Sequence, residues 1–235
     1  MAGQWRGDGA QHQGARPYQE DCWTLKRLAD GALCAVLADG MGGHAGGSVA
    51  SRLAVDAAAG TMTGGGSLAD ALHAANRAIG DRATGDRALE NMGSTLVVAV
   101  VAGEELHWVS VGDSPLYLVV GGAIERLNAD HSMVPQIEAL VAHGMITAAQ
   151  AANHPGRHTL REAVMGNPLT LIDRGSRRLE AGAVLLLCSD GVESLDHAQI
   201  ATEAGKPAQA IVDAVLALHA PHQDNVTVIK LERTE

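Results

Sequence analysis

Aspartates that follow apolar runs are the residues of this sequence best suited to chemistry. The clearest is Asp39, which ends the run 32–38 and precedes a stretch with five glycines in eight residues. An apolar run of that length is typical of a buried strand, so we expect Asp39 at the end of a sheet. Glycines let backbone carbonyls and amides approach a ligand closely, as a metal ion or a phosphate requires. Taken alone, the stretch is equally compatible with a turn in which Asp39 caps a helix.

Three more aspartates repeat this arrangement. Asp113 and Asp190 follow the predicted strands 106–111 and 183–188, and Asp224 precedes the predicted strand 226–231. Carboxylates brought together at strand ends repel one another, so they need bound cations or strongly raised pKa values. Oxygen ligands without His or Cys suit Mg²⁺, Mn²⁺ or Ca²⁺. Two such ions can lower the pKa of a shared water and direct it at a phosphorus atom.

A further charged group lies near the start of the chain, where Arg16 precedes Glu20 and Asp21 at the entrance of a predicted strand. An arginine can hold phosphate oxygens with its two-pronged guanidinium. For this group considered alone, a solvated surface turn is the alternative.

The composition excludes several classes of protein. The chain has 235 residues, 46% of them hydrophobic, enough for a substantial core. A net charge of −10 argues against nucleic acid or an anionic membrane as partner. The sequence has neither a signal peptide nor an apolar run near the roughly 18 residues of a membrane helix, so we expect a soluble cytoplasmic protein. The three cysteines lack CxxC spacing, which predicts no disulfide and no zinc site.

The elements that must position these residues are read from hydrophobic periodicity. Between residues 94 and 127 the pattern predicts three strands forming an antiparallel meander. The segment 128–168 breaks the strand pattern with short helices and is predicted to cover the site, and its histidines are interpreted as surface or structural residues. The other predicted elements are helices at 48–59 (ending at Gly60), 67–89, 197–203 and 208–218, and strands at 32–38, 169–173, 183–188 and 226–231.

Several short motifs occur in a fixed order from about residue 14 to residue 230. They are Arg16 with Glu20-Asp21, Asp39-Gly40-Met41-Gly42-Gly43-His44, Gly93-Ser94-Thr95-Leu96, Val111-Gly112-Asp113-Ser114, Asp130-His131-Ser132, Asn153-His154-Pro155, Ser189-Asp190-Gly191 and Asp224-Asn225-Val226-Thr227. Each motif is weak alone, but the ordered set resembles the bacterial type of the PP2C (PPM) family of metal-dependent protein serine/threonine phosphatases.

The resemblance implies an α+β fold, a four-layer α/β/β/α sandwich of two antiparallel sheets flanked by helices. A single catalytic domain would span residues 1–235, with segment 128–168 as a small helical flap. The implied cofactors are two tightly bound Mn²⁺ or Mg²⁺ ions and a third, weaker one. The implied partners are phosphorylated Ser/Thr proteins, including a cognate Ser/Thr kinase, and the enzyme would act as a monomer.

The resemblance also implies roles for the metal ligands. Asp39 would bridge two metals, with the Gly40 carbonyl on one of them and Asp190 and Asp224 on the other. Asp113 resembles the acid that binds the third metal.

The remaining implied roles fall on the first motifs of the chain. Glu20 and Asp21 would hold metal-bound waters or complete the metal shell. His44 matches the position of the general acid, and Arg16 would grip the phosphate. Gln19 stands where the family usually has asparagine, which removes no ligand.

Other hydrolase mechanisms lack their motifs here. The positions six residues after the three cysteines hold Leu28, Gly40 and Ser194, so the Cys-x5-Arg signature of a cysteine phosphatase is absent. The only Gly-Lys pair, Gly205-Lys206, is followed by proline rather than by the Ser or Thr of a P-loop, and there is no GxSxG elbow. The alternative function is a phosphatase-like binding module without turnover.

Overall fold

The computed structural model describes residues 4–42 and 45–233. The strands are β1 (Trp5–His12), β2 (Asp21–Arg27), β3 (Leu33–Met41), β4 (Gly93–Ser94), β5 (Leu96–Ala102), β6 (Glu105–Val111), β7 (Leu116–Val120), β8 (Ala123–Arg126), β9 (Asp173–Arg178), β10 (Val184–Cys188) and β11 (Val226–Arg233). The helices are α1 (Ala45–Thr63), α2 (Leu68–Ala83), α3 (Val134–Ala142), α4 (Ala148–Ala152), α5 (His197–Glu203) and α6 (Ala208–Leu216), and a 3-10 helix spans Asp190–Ser194.

The strands form two antiparallel sheets. The first has the spatial order β1-β11-β10-β7-β8, and the second has the order β2-β3-β5-β6-β9, with β4 paired to β3. The two sheets pack face to face through side chains such as Leu37 and Val97 of one sheet and Leu185 and Ile229 of the other. This inter-sheet core is the middle of the molecule.

Helices cover the outer face of each sheet. Helices α1 and α2 pack on β3 and β5, and α5 and α6 pack on β7, β10 and β11. Strand β3 is buried on both faces, because Val36 points toward the helices and Leu37 points toward the first sheet. A strand covered on both sides reads as a continuous apolar run, which is why 32–38 lacks alternation. The predicted α+β sandwich of four layers is confirmed.

Four details of the sequence-based elements were wrong. Helix α1 continues through Gly60 to Thr63, and α2 ends at Ala83 rather than at residue 89. The predicted meander does not exist, because β5 and β6 lie in one sheet and β7 lies in the other. The strand expected at 169–173 is instead β9, whose residues are mostly exposed.

Within residues 4–42 and 45–233, no helix combines the length and the apolar character that crossing a membrane requires.

Candidate metal centre

The site lies where strands from both sheets end. Asp21 and Asp39 are register partners on the antiparallel strands β2 and β3, so their side chains leave the same end of the sheet. The backbone of Asp39 is fixed by the next strand: its N–H donates to Thr95 Oγ1 (2.9 Å), and its carbonyl accepts hydrogen bonds from Ser94 Oγ (2.8 Å) and Thr95 N–H (2.9 Å). The backbone of Asp39 is therefore fixed at the strand end, and Asp39 lines the cleft described below.

Asp21 joins the two sheets. Its side chain is buried, and Oδ2 accepts hydrogen bonds from Ser189 Oγ (2.8 Å) and Thr227 Oγ1 (2.6 Å), which belong to the other sheet's strand ends. Its second oxygen, Oδ1, is buried and has no hydrogen-bond partner in the described part of the chain. A buried carboxylate oxygen without a hydrogen-bond donor destabilises the folded protein unless a cation or a proton binds to it.

The backbone around Glu20 and Gly40 is packed closely. The Glu20 N–H donates to Asn225 Oδ1 (2.7 Å), and the Glu20 carbonyl accepts the Gly40 N–H (3.1 Å). A Cβ built on Gly40 would overlap the carbonyl of Gly47, and a Cβ built on Gly47 would overlap the Glu20 carboxylate. These glycines are required because no side chain fits between the segments that enclose the site.

This packing gives a stability prediction. Gly40→Ala should lower the free energy of unfolding by about 1–3 kcal/mol, because backbone must shift to admit the methyl group. Gly60→Ala is the matched control: it lies inside α1 with open space around it, so it should stabilise the protein by about 0.5–1 kcal/mol. Urea denaturation of both variants measures the two effects. Equal effects would mean that the crowding at Gly40 has no energetic weight.

The other three aspartates come from three further segments. Asp113 lies in the turn between β6 and β7, and Asp190 is the first residue of the 3-10 helix. Asp224 precedes β11, where its Oδ1 accepts the N–H of Asn225 (2.8 Å). Arg16 Nη2 donates to Asp224 Oδ2 (2.5 Å), and both side chains are partly exposed.

One cleft of about 910 Å³ collects these residues. Of the residues predicted from the sequence, its lining includes Arg16, Glu20, Asp39, Gly40, Asp113, Asp190 and Asp224. Asp21 is buried and does not line the cleft, and His44 falls outside the described residues. The other predicted site residues are thus brought together on one surface.

The electrostatic state of the site follows from its lost hydration and its crowded charge. Burial, followed by the charges of neighbouring aspartates, raises the pKa of Asp39 well above its ordinary value. Burial also raises the pKa of Asp21 and of Asp113 to about 7, and that of Asp190 to about 6. For Arg16 the charged form is the one favoured, because its hydrogen bond to Asp224 raises the pKa of the guanidinium. In the absence of a cation these carboxyl groups therefore favour the protonated form, and a divalent cation could take the place of the protons.

These donors fit a hard divalent cation. They are oxygens, and one of them, Asp21 Oδ1, is buried without a donor. In residues 4–42 and 45–233, no group of three or more His, Cys, Asp or Glu side chains converges tightly enough to hold an ion by itself. Carbonyl and water ligands would complete the shell, which suits Mg²⁺ because this ion usually keeps several waters and takes only one or two carboxylates.

The cleft also contains residues that sequence reasoning did not select. His158 and Thr159 come from the flap, and Glu193 lies one turn after Asp190 on the 3-10 helix. The segment 128–168 is joined to β4, because Ser94 and Val164 exchange two backbone hydrogen bonds (3.1 and 2.9 Å). For His158 the sequence holds no paired ligand or spacing to signal its position. Glu193 could have been found from its spacing of three after Asp190, because residues i and i+3 eclipse in a 3-10 helix.

The chain belongs to the protein phosphatase 2C family, since the family model of that name matches residues 6–225. Among particular relatives, the serine/threonine protein phosphatase PstP of Mycobacterium tuberculosis is 38% identical over 213 residues, covering 85% of this chain and 40% of PstP. The chain therefore spans less than half the length of that protein. The serine/threonine phosphatase stp of Listeria monocytogenes is 29% identical over 233 residues, covering 93% of this chain and 91% of the relative.

The fold is similar to that of solved family members. A crystal structure of the PstP catalytic domain in complex with two manganese ions superposes with a TM-score of 0.80 at 30% identity, covering 98% of this chain and 99% of that one. The resemblance seen in the ordered motifs is therefore confirmed.

Proposed function

We propose that this protein is a metal-dependent phosphatase that hydrolyses phosphoserine and phosphothreonine in proteins. The observation that carries the proposal is the convergence of six of the predicted metal-binding residues, together with Arg16, on one cleft. Family membership and the names of the relatives, which are serine/threonine phosphatases, support the same reaction.

The cofactors in this proposal are two Mn²⁺ or Mg²⁺ ions. Asp39, Asp190 and Asp224 would hold them together with the Gly40 carbonyl. Bound ions of this kind supply Lewis-acid chemistry, since they polarise phosphoryl oxygens and lower the pKa of water.

Three further acids would complete the proposed metal shell. Glu20 and Asp21 would do so directly or through water. Asp113 would hold a third, weaker ion.

The chain's own cationic side chains would handle the substrate. Arg16 donates a hydrogen bond from Nη2 to Asp224, and its remaining N–H groups can bind phosphate oxygens at the mouth of the cleft. We assign His44 the role of general acid from its place in the sequence: it would protonate the serine or threonine oxygen as the bond from that oxygen to phosphorus breaks. A histidine can supply this proton near neutral pH.

The proposed substrates are phosphorylated Ser/Thr proteins, including a Ser/Thr kinase of the same cell, and the proposed working form is a monomer. A phosphatase-like binding module without turnover is the competing function. The two functions differ in whether phosphate is released.

Removal of metal tests the proposed function directly. Treatment with EDTA should reduce phosphate release from a phosphothreonine peptide to the level without protein, and excess Mn²⁺ should restore it, because the carboxylates need the ion to act on phosphate. Release is measured as inorganic phosphate, with p-nitrophenyl phosphate as a second substrate. Activity that survives EDTA would contradict the metal-dependent mechanism. Absence of release at every Mn²⁺ concentration would favour the binding module.

A further inference from the structure

Arg126, the last residue of β8, stands out because its guanidinium contacts three separate segments beside the cleft. Nη2 donates to the backbone carbonyl of Asp113 (2.5 Å), and Nη1 lies 3.5 Å from Asp130 Oδ2 and 3.4 Å from Glu193 Oε1. The Arg126 side chain is only 19% exposed. A largely buried guanidinium with these contacts links separate segments of the chain, because its planar fork fixes the direction of each N–H donor.

The first of these segments is the turn that carries Asp113. Gly112 adopts a φ of 101°, which favours glycine, and a Cβ there would lie 2.7 Å from Thr95 Cβ. The Gly112 carbonyl accepts the N–H of His131 (3.1 Å), and the Ser114 carbonyl accepts Asn128 Nδ2 (3.0 Å). Asn128 and His131, at the start of the segment 128–168, thus bind the carbonyls on both sides of Asp113. Arg126 binds the carbonyl of Asp113 itself.

The second segment is the 3-10 helix that begins at Asp190. Glu193 lies one turn further along this helix, and its Oε1 accepts a hydrogen bond from the Tyr117 hydroxyl (3.3 Å) in addition to the contact with Arg126. Asp113 and Asp190 line both the main cleft and a neighbouring cavity of about 470 Å³ that Arg126 also lines. One side chain therefore connects the backbone of Asp113 with the side chain of Glu193, which lies three residues after Asp190.

We propose that Arg126 is a positioning residue that fixes the Asp113 turn relative to the Asp190 helix and thereby sets the affinity of the third, weaker divalent ion at Asp113. This inference rests on the proposed function, because that function assigns the ion to Asp113. Arg126 acts through the Asp113 backbone and through Glu193. The placement of Asp113 is then determined by a residue 13 positions away in the sequence.

The test is a titration of Mn²⁺ binding by electron paramagnetic resonance, with turnover measured beside it. Arg126→Ala should leave the two tight sites filled and should weaken the third by about 10-fold or more, the usual cost of losing an outer contact to a metal ligand. Arg126→Lys, which keeps the charge without the planar fork, should recover only part of the affinity. Arg177→Ala is the matched control, since it removes an exposed arginine paired with Glu125 and should change neither quantity.

A double-mutant cycle separates positioning from a general loss of structure. If Arg126 acts through Asp113, adding Arg126→Ala to Asp113→Ala should cause no further change in turnover, whereas independent effects would add. Additive losses, or a third site of normal affinity in Arg126→Ala, would overturn the inference. A wild-type protein that binds only two manganese ions would overturn it as well while leaving the proposed phosphatase function standing. A wild-type protein without Mn²⁺-dependent turnover would refute that function itself.

Discussion

Replacing Asp39 with asparagine should abolish Mn²⁺-dependent phosphate release and make the metal-free protein harder to unfold. The change keeps the shape of the side chain but removes the charge that would hold two ions, so turnover should fall by about 10³-fold, equivalent to several kcal/mol of lost transition-state stabilisation. Without metal, the charge of Asp39 destabilises the folded protein, because burial and the neighbouring aspartates raise the pKa of this carboxyl group. Its removal should stabilise the metal-free protein, because the folded state no longer has to keep this carboxylate buried without a counter-charge.

The two halves of this result are measured separately, by phosphate release at saturating Mn²⁺ and by urea denaturation in EDTA. Asp56→Asn is the control, because Asp56 is exposed on α1 and should alter neither measurement. Near-normal turnover of Asp39→Asn would remove Asp39 from the metal centre. A loss of stability in EDTA would show that the folded protein compensates this charge in another way.

The stability of the metal-free protein should fall as the pH rises from about 4 to 7.5. Burial raises the pKa of Asp21 from its ordinary 3.8 to about 7, so the folded state binds a proton that the unfolded state has lost. A raised pKa contributes stability that is fully present below the unfolded value and disappears as the pH passes the folded value. For Asp21 alone the full change is on the order of 4 kcal/mol, and Asp113 and Asp190 act in the same direction, with pKa values of about 7 and 6.

Urea denaturation in EDTA across this range gives the slope, and Asp21→Asn should make it shallower. Saturating Mn²⁺ should reverse the trend, because the ion binds the deprotonated carboxylates and stabilises the folded state by mass action. Stability that rises with pH in the absence of metal would contradict the raised pKa values. A slope that Asp21→Asn leaves unchanged would assign the effect to other groups.

The chemistry of the site was more predictable from sequence than the arrangement of its strands. An apolar run that ends in an aspartate shows where a carboxylate leaves a buried strand, and Asp39, Asp113 and Asp190 were found in this way. Hydrophobic periodicity does not show which sheet a strand joins, because the side chains of β7 would point alternately to the two faces in either sheet. The chain changes sheets between β6 and β7, so the turn that was expected in a hairpin instead carries Asp113 across the sandwich.

Local signals were overridden in other elements. Gly60 does not end α1, because packing against β3 and α2 outweighs the weak propensity of one glycine. Strand β9 is a polar edge strand, so hydropathy favoured the apolar residues 169–172, of which Leu169 and Ile172 pack against the core without forming a strand. The end of α2 did have a signal, Gly85 with a φ of 80°, that the apolar spacing obscured.

The contacts of Asp21 and Asp224 limit what each carboxylate can still offer. Ser189 and Thr227 occupy Asp21 Oδ2, and Arg16 and Asn225 occupy one oxygen each of Asp224. Calcium prefers six to eight oxygens and often takes both oxygens of one carboxylate. An ion that needs few carboxylate oxygens and keeps several of its own waters, as Mg²⁺ does, would therefore suit these two acids better than an ion that takes both oxygens of one carboxylate.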